Sequence, residues 1–153
     1  MTIKINSENQ NHKKKIELKK MEKIARAVLR LLGKKDTEVN ISFITSQKIR
    51  VMNRRYFGID AATDVIAFPA GKAITSGHGS RVTGQEFLGD IAISTDRAKC
   101  NSRIYGMLFK EEVALYVIHG LLHLAGYEDT TKKKKEAMKA KEDEFFRKTQ
   151  KTL

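Results

Sequence analysis

Two of the chain's four histidines, His119 and His123, stand four residues apart inside the apolar run from Val113 to Ala125. On a helix that spacing puts both imidazoles on one face, about 40° apart, near enough to share one ion. Gly126 follows three residues after His123, where a helix can stop through a left-handed cap. Asp129 comes six residues after His123, beyond a turn able to bring its carboxylate back to the helix face. Two imidazoles and one carboxylate form a catalytic zinc set that leaves a position open. Unpaired imidazoles are costly to desolvate in so apolar a helix, which is a second reason to expect an ion there. Glu128 competes as third ligand. The competing role for Asp129 is to cap the next helix, in rivalry with Thr130 and Thr131.

The offsets 0, 4, 7 and 10 (His, His, Gly, Asp) are similar to the long zinc motif of the metzincins, with two changes. Gly120 stands where that motif keeps a general-base Glu, and Asp129 stands where it keeps a third His. The reading is a mononuclear metal site without a local base. Glu128 and Asp90 are candidates for that base, though satisfying backbone donors near Gly89 is the better account of Asp90.

The charge balance points to a partner. Thirty Lys and Arg against eighteen Asp and Glu give a formal net charge of +12. A small protein so basic is expected to meet a polyanion, with nucleic acid preferred over anionic membrane because no lipidation signal is present. Lys132, Lys133, Lys134 and Lys135, with Arg54 and Arg55, are the candidate RNA contacts, and Lys13 to Lys15 form a second cluster. No apolar run approaches a membrane span, and the N-terminus lacks the h-region of a secretory signal. The one cysteine, Cys100, excludes an internal disulfide, suits a reducing cytoplasm and is expected to be a partly buried small hydrophobe.

The elements that must position these groups are legible from periodicity. Ile3 to Asn6 reads as an edge strand, followed by a polar turn from Ser7 to Asn11 and by His12 in solvent. Apolar residues at 18, 21, 25, 28 and 32 mark a helix within Lys13 to Leu32, ended by Gly33. Glu38 to Thr45 alternates as a strand, and Ser46 is the expected cap of a short helix to about Tyr56. Thr63 to Pro69 and Phe87 to Ser94 read as strands, the second interrupted at Gly89 and Asp90. Between them, Ala70 to Gln85, with His78, reads as a loop. Thr95 or Asp96 starts a helix to about Tyr105, the histidine helix follows Gly106, and Lys132 opens a last helix anchored by Met138, Phe145 and Phe146. With no repeat or boundary in view, residues 1–153 form one α/β (α+β) domain. The expected architecture is a small mixed sheet covered by helices, zincin-like, with the zinc site on a central buried helix.

The blocks His119 to Asp129, Met52-Asn53, Thr63 to Pro69 and Leu88 to Ser94 together resemble the YbeY endoribonucleases, also called rRNA maturation factors. The resemblance covers most of the chain. It implies one zinc ion per chain held at His119, His123 and Asp129, and cleavage of single-stranded RNA. It also implies roles in maturing the 3′ end of 16S rRNA, in ribosome biogenesis and in rRNA quality control, in the cytoplasm. The implied partners are ribosomal RNA and the small ribosomal subunit, with ribosomal proteins or an assembly GTPase beyond them and no membrane. Two departures stand out: Asp129 replaces the family's third histidine, and Phe57 falls where the family places a functional arginine. The competing readings are a non-catalytic zinc-containing ribosome assembly factor and, opposed by Gly120 and the charge, a zinc metallopeptidase.

Overall fold

The alternation read from residue 38 onward is realised as the strand around which the sheet is built. In the computed structural model, which describes residues 2–70 and 85–153, β1 (Ile3–Asn9), β2 (Thr37–Ile44), β3 (Val65–Pro69) and β4 (Glu86–Ser94) form one sheet in the order β1-β2-β4-β3. β1, β2 and β4 run parallel, and β3 joins the far edge antiparallel to β4. The sheet is therefore mixed, as expected. The only proline in the chain, Pro69, ends the edge strand, where a missing ladder donor is tolerated. The loop expected between Ala70 and Gln85 falls, from 71 to 84 and with His78, outside the described residues.

The interruption seen at Gly89 is a β-bulge rather than a break. Glu38 pairs with Phe87 and Val39 with Gly89, which leaves Leu88 as the extra residue. Gly89 has φ +142, and a Cβ there would meet the Phe68 carbonyl oxygen at 2.1 Å, so no larger residue fits.

Helix α4 (Phe109–Leu124) lies on the inner sheet face, flanked by α1 (Leu18–Leu31), α3 (Thr95–Tyr105) and α5 (Lys132–Thr149). The main core joins Ile24, Val28 and Leu29 of α1 with Val39, Ile41 and Phe43 of β2, and Val117, Ile118 and Leu121 of α4 fill the middle. A smaller cluster on the other sheet face seats α2 (Ser46–Phe57) through Ile49 against Ile44, Ile66, Phe68 and Ala92. Burying each such side chain contributes about 1.5–3 kcal/mol, so the sheet and α4 form the rigid part on which a site can be held.

Several local details differ from the sequence reading, each for a physical reason. β1 extends to Asn9 because its register with β2 continues through Asn9↔Phe43. The first helix starts at Leu18, not Lys13. Asn11 holds the preceding segment as a turn, its carbonyl accepting from Lys14 and its buried amide donating to Thr95 and Asp96. Thr45, not Ser46, caps α2 by accepting from the Lys48 amide at 3.1 Å. Cys100 is exposed rather than partly buried, because Ala98 and Ser102 occupy the inner face of α3.

Candidate metal centre

The end of α4 explains how the chain returns to its own helix. The Tyr127 amide donates to the Leu122 carbonyl at 3.0 Å and the Gly126 amide to the His123 carbonyl at 3.1 Å, the paired bonds of a Schellman motif. Gly126 takes φ +103, which an L side chain rarely adopts. The turn leaves Asp129 facing the histidines. Its capping rival is settled locally, since the Thr131 hydroxyl accepts from Lys134 N at 3.1 Å and starts α5. Glu128 is engaged elsewhere: its carboxylate accepts from Lys134 Nζ, which also holds it below the usual carboxylate range.

His119, His123 and Asp129 each offer one ligand atom, and these atoms lie within 4.8 Å of one another. The two Nε2 atoms are 3.1 Å apart, and His123 Nε2 lies 3.6 Å from Asp129 Oδ2. A tetrahedral ion with bonds of about 2.0–2.1 Å separates its ligand atoms by about 3.3 Å, so this donor set fits one ion. Among the described residues it is the one such cluster of His, Cys, Asp or Glu.

A residue that the sequence reading missed completes the arrangement. Glu142 of α5 accepts a hydrogen bond from Nδ1–H of His119, which leaves Nε2 of that ring turned toward His123. The signal was present: Glu142 shares the inner face of α5 with Met138, Phe145 and Thr149, a carboxylate in a register otherwise used for the core. His123 is held below its ordinary value by burial first and by neighbouring His119 second. Asp129, the Tyr127 backbone and Glu142 act the other way. It is thus neutral near pH 7, with its lone pair available.

Gly120 has a packing role. A Cβ at that position would come within 2.7 Å of Ile91 Cγ2 on β4, so the helix rests on the sheet at this glycine. A side chain at 120 would point into β4, away from the ligands. Asp90 precedes Ile91 and therefore faces the opposite side of the sheet, where it accepts from Asn40 Nδ2 at 2.9 Å. Neither position supplies a base beside the triad.

Two cavities meet at His123 and Asp129. One, of about 330 Å³, runs along α4; the other, of about 580 Å³, opens toward α2 and is lined by Phe57, Ile59 and Tyr127. Phe57 is 53% exposed and stacks on Phe68 with ring centroids 5.8 Å apart. Arg54 and Arg55 are exposed on α2 and line neither cavity, with Arg55 lying over the Tyr56 ring. The four lysines 132–135 are exposed on the first turn of α5, just beyond Asp129.

The sequence profile of the Endoribonuclease YbeY family matches residues 6–150. The chain belongs to this family. Endoribonuclease YbeY of Caldanaerobacter subterraneus is 36% identical over 115 residues, 72% of this chain and 73% of the relative. That of Geobacillus thermodenitrificans is 40% identical over 113 residues, covering 71% and 70%, and that of Syntrophus aciditrophicus 32% over 148, covering 95% and 89%. The solution structure of a Thermotoga maritima protein shares the fold, with a TM-score of 0.61 at 24% identity over 97% of this chain and 89% of that one. No described helix is long and apolar enough to cross a membrane.

Proposed function

We propose that this YbeY family member is a zinc-dependent endoribonuclease of single-stranded RNA, acting in maturation of the 3′ end of 16S rRNA and in ribosome quality control. The observation that carries the reading is the convergence of three metal-ligand atoms within 4.8 Å where two cavities meet. Residues 1–153 act as one domain in the cytoplasm, with ribosomal RNA in the small subunit as partner and ribosomal proteins or an assembly GTPase as further ones. A zinc ion held by His119, His123 and Asp129 supplies a Lewis acid for phosphodiester cleavage.

The chain's own groups do the rest. Glu142 fixes the tautomer of His119, and neutral His123 keeps its lone pair directed at the same point. Lys132 to Lys135 draw phosphates to the rim of the site, aided by the net charge. With position 120 turned into the sheet, Asp90 on the far face and Glu128 tied to Lys134, the site suits a substrate that carries its own nucleophile. RNA does so in its 2′-hydroxyl. A peptide substrate does not, and its amine leaving group needs a proton carrier.

A second reading, the non-catalytic assembly factor, draws support from Phe57 at the place of the family's arginine, which removes one cation from the RNA side of the site. One measurement separates the readings: zinc content and RNA cleavage on the same preparation. The enzyme reading expects slow cleavage of single-stranded RNA, absent in His123→Ala, with unfolded protein left intact. Zinc-loaded protein that binds ribosomal RNA but leaves it uncut supports the assembly factor instead.

A further inference from the structure

The cavity along α4 extends well beyond the metal ligands. Glu112, Tyr116, His119 and His123 follow one another at steps of four, three and four, which puts them on one helix face, and all four line the cavity. Glu112 lies two turns, about 10 Å along the axis, from His119. That is too far for work at the reacting phosphorus. Thr63 and Asp64, before β3, and Lys139 of α5 line the cavity with it.

Glu112 is 5% exposed, and its carboxyl has no hydrogen-bond partner among the described residues. Its charged neighbours are already paired: Asp64 accepts from Arg97 at 3.1 Å, and Lys139 donates to Asp143 at 3.1 Å. Burial, and Asp64 after it, push the Glu112 carboxyl above the ordinary range, while Lys139 acts the other way. Tyr116 is held in place by the Asn101 amide, which donates to its hydroxyl at 2.5 Å. The carboxyl oxygens are not sealed in the core, since the one buried side-chain polar atom without a partner among the described residues is Thr37 Oγ1. The carboxyl opens into the cavity, where a bound group can donate to it.

We infer that this arm of the cavity is a nucleobase subsite in which Glu112 reads a base bearing an exocyclic amino group, beside the phosphate held at the metal triad. The inference rests on the endoribonuclease reading. Two carboxyls in one arm repel the phosphate backbone, so the uncharged base is the part of RNA that enters. A volume of about 330 Å³ is in the range of small-ligand sites. Guanine, adenine and cytosine each offer amino hydrogens to a carboxyl oxygen. Uracil offers one N3–H between two carbonyl oxygens that face the acid unfavourably. Single-stranded RNA leaves these edges free to be read.

The experiment uses short single-stranded RNAs that differ only in one base near the cleavage point, with binding and cleavage followed separately on zinc-loaded protein. Wild type should favour A, C or G over U by about tenfold in binding, the scale of one hydrogen bond to a buried acid. In Glu112→Gln that ratio should fall to within about twofold, with zinc content and melting temperature unchanged. Glu112→Asp, which keeps the acid, should retain the direction of the preference and covers the case of a poorly folded amide variant. Equal binding of all four bases by wild type, or an unchanged ratio in Glu112→Gln, overturns the subsite even if RNA is cut. Base-selective, Glu112-dependent binding without cleavage upholds the subsite and removes the nuclease reading alone.

Discussion

Helix α4 buries nine of its sixteen residues, whereas α5 buries three of its eighteen, and both contribute to the candidate metal centre. In α4 the polar groups Glu112, His119 and His123 stand against an apolar background, so any of them invites a functional question. In α5 the background is lysine and glutamate, and Glu142 differs from its neighbours only in the direction it faces. The contrast separates two kinds of contribution. At the candidate site the buried helix supplies two of the three atoms that could hold an ion, and the surface helix supplies the carboxylate that aims one of them.

That division can be broken most severely from the α4 side. His119→Ala should abolish stoichiometric zinc, because two remaining ligands do not close a site, and metal analysis of the purified variant checks it. Retention of a full equivalent would remove the assignment. From the α5 side the loss should be partial. Glu142→Gln should weaken zinc binding by about 10–100-fold, read by chelator competition, since the ring keeps its place but loses its fixed tautomer. Equal losses in the two variants would erase the distinction between holding and aiming.

Acid should act through α4 first. The folded-state pKa of His123 is depressed, so in the metal-free protein its contribution to stability is full above about 6.5, the unfolded value, and is lost as pH falls through the folded one. In the metal-free protein His123 should therefore take up its proton at lower pH than an ordinary histidine, and an NMR titration of its ring from about pH 7 to 5 tests it. The smallest expected effect belongs to the surface of α5. Replacing Lys132 to Lys135 with Gln should reduce the salt dependence of single-strand binding by about 0.7 in the logarithmic slope for each phosphate that the variant no longer neutralises. Zinc content should not move.

The same contrast explains what could be read from the sequence. The strands, the central helix and the pair His119 and His123 follow from periodicity, and Asp129 follows from its offset past Gly126. Register between distant segments does not. Glu142 is 23 residues from His119, and its local signal, a carboxylate on the inner face of α5, does not say which residue of α4 it meets. The start of α1 was hidden for a similar reason: Asn11 is tied to Thr95, 84 residues away. Asp90 and Gly120 were legible as unusual residues, but their meaning, far face and close packing, needed the sheet.

The seat of Gly120 on Ile91 also bears on what this scaffold can become. A glutamate at 120 would give the chain the His-Glu-x-x-His pattern of zinc peptidases in one substitution. A Cβ there would meet Ile91 Cγ2 at 2.7 Å, so the Ile91 side chain or the helix that carries both histidines would first have to shift. Trimming Ile91 would make room, but at about 2–5 kcal/mol for a truncation to alanine, and the new acid would still face the strand. Peptidase chemistry is thus more than one tolerated mutation away, held off by the close seat of a glycine on Ile91, a contact that takes no part in any reaction.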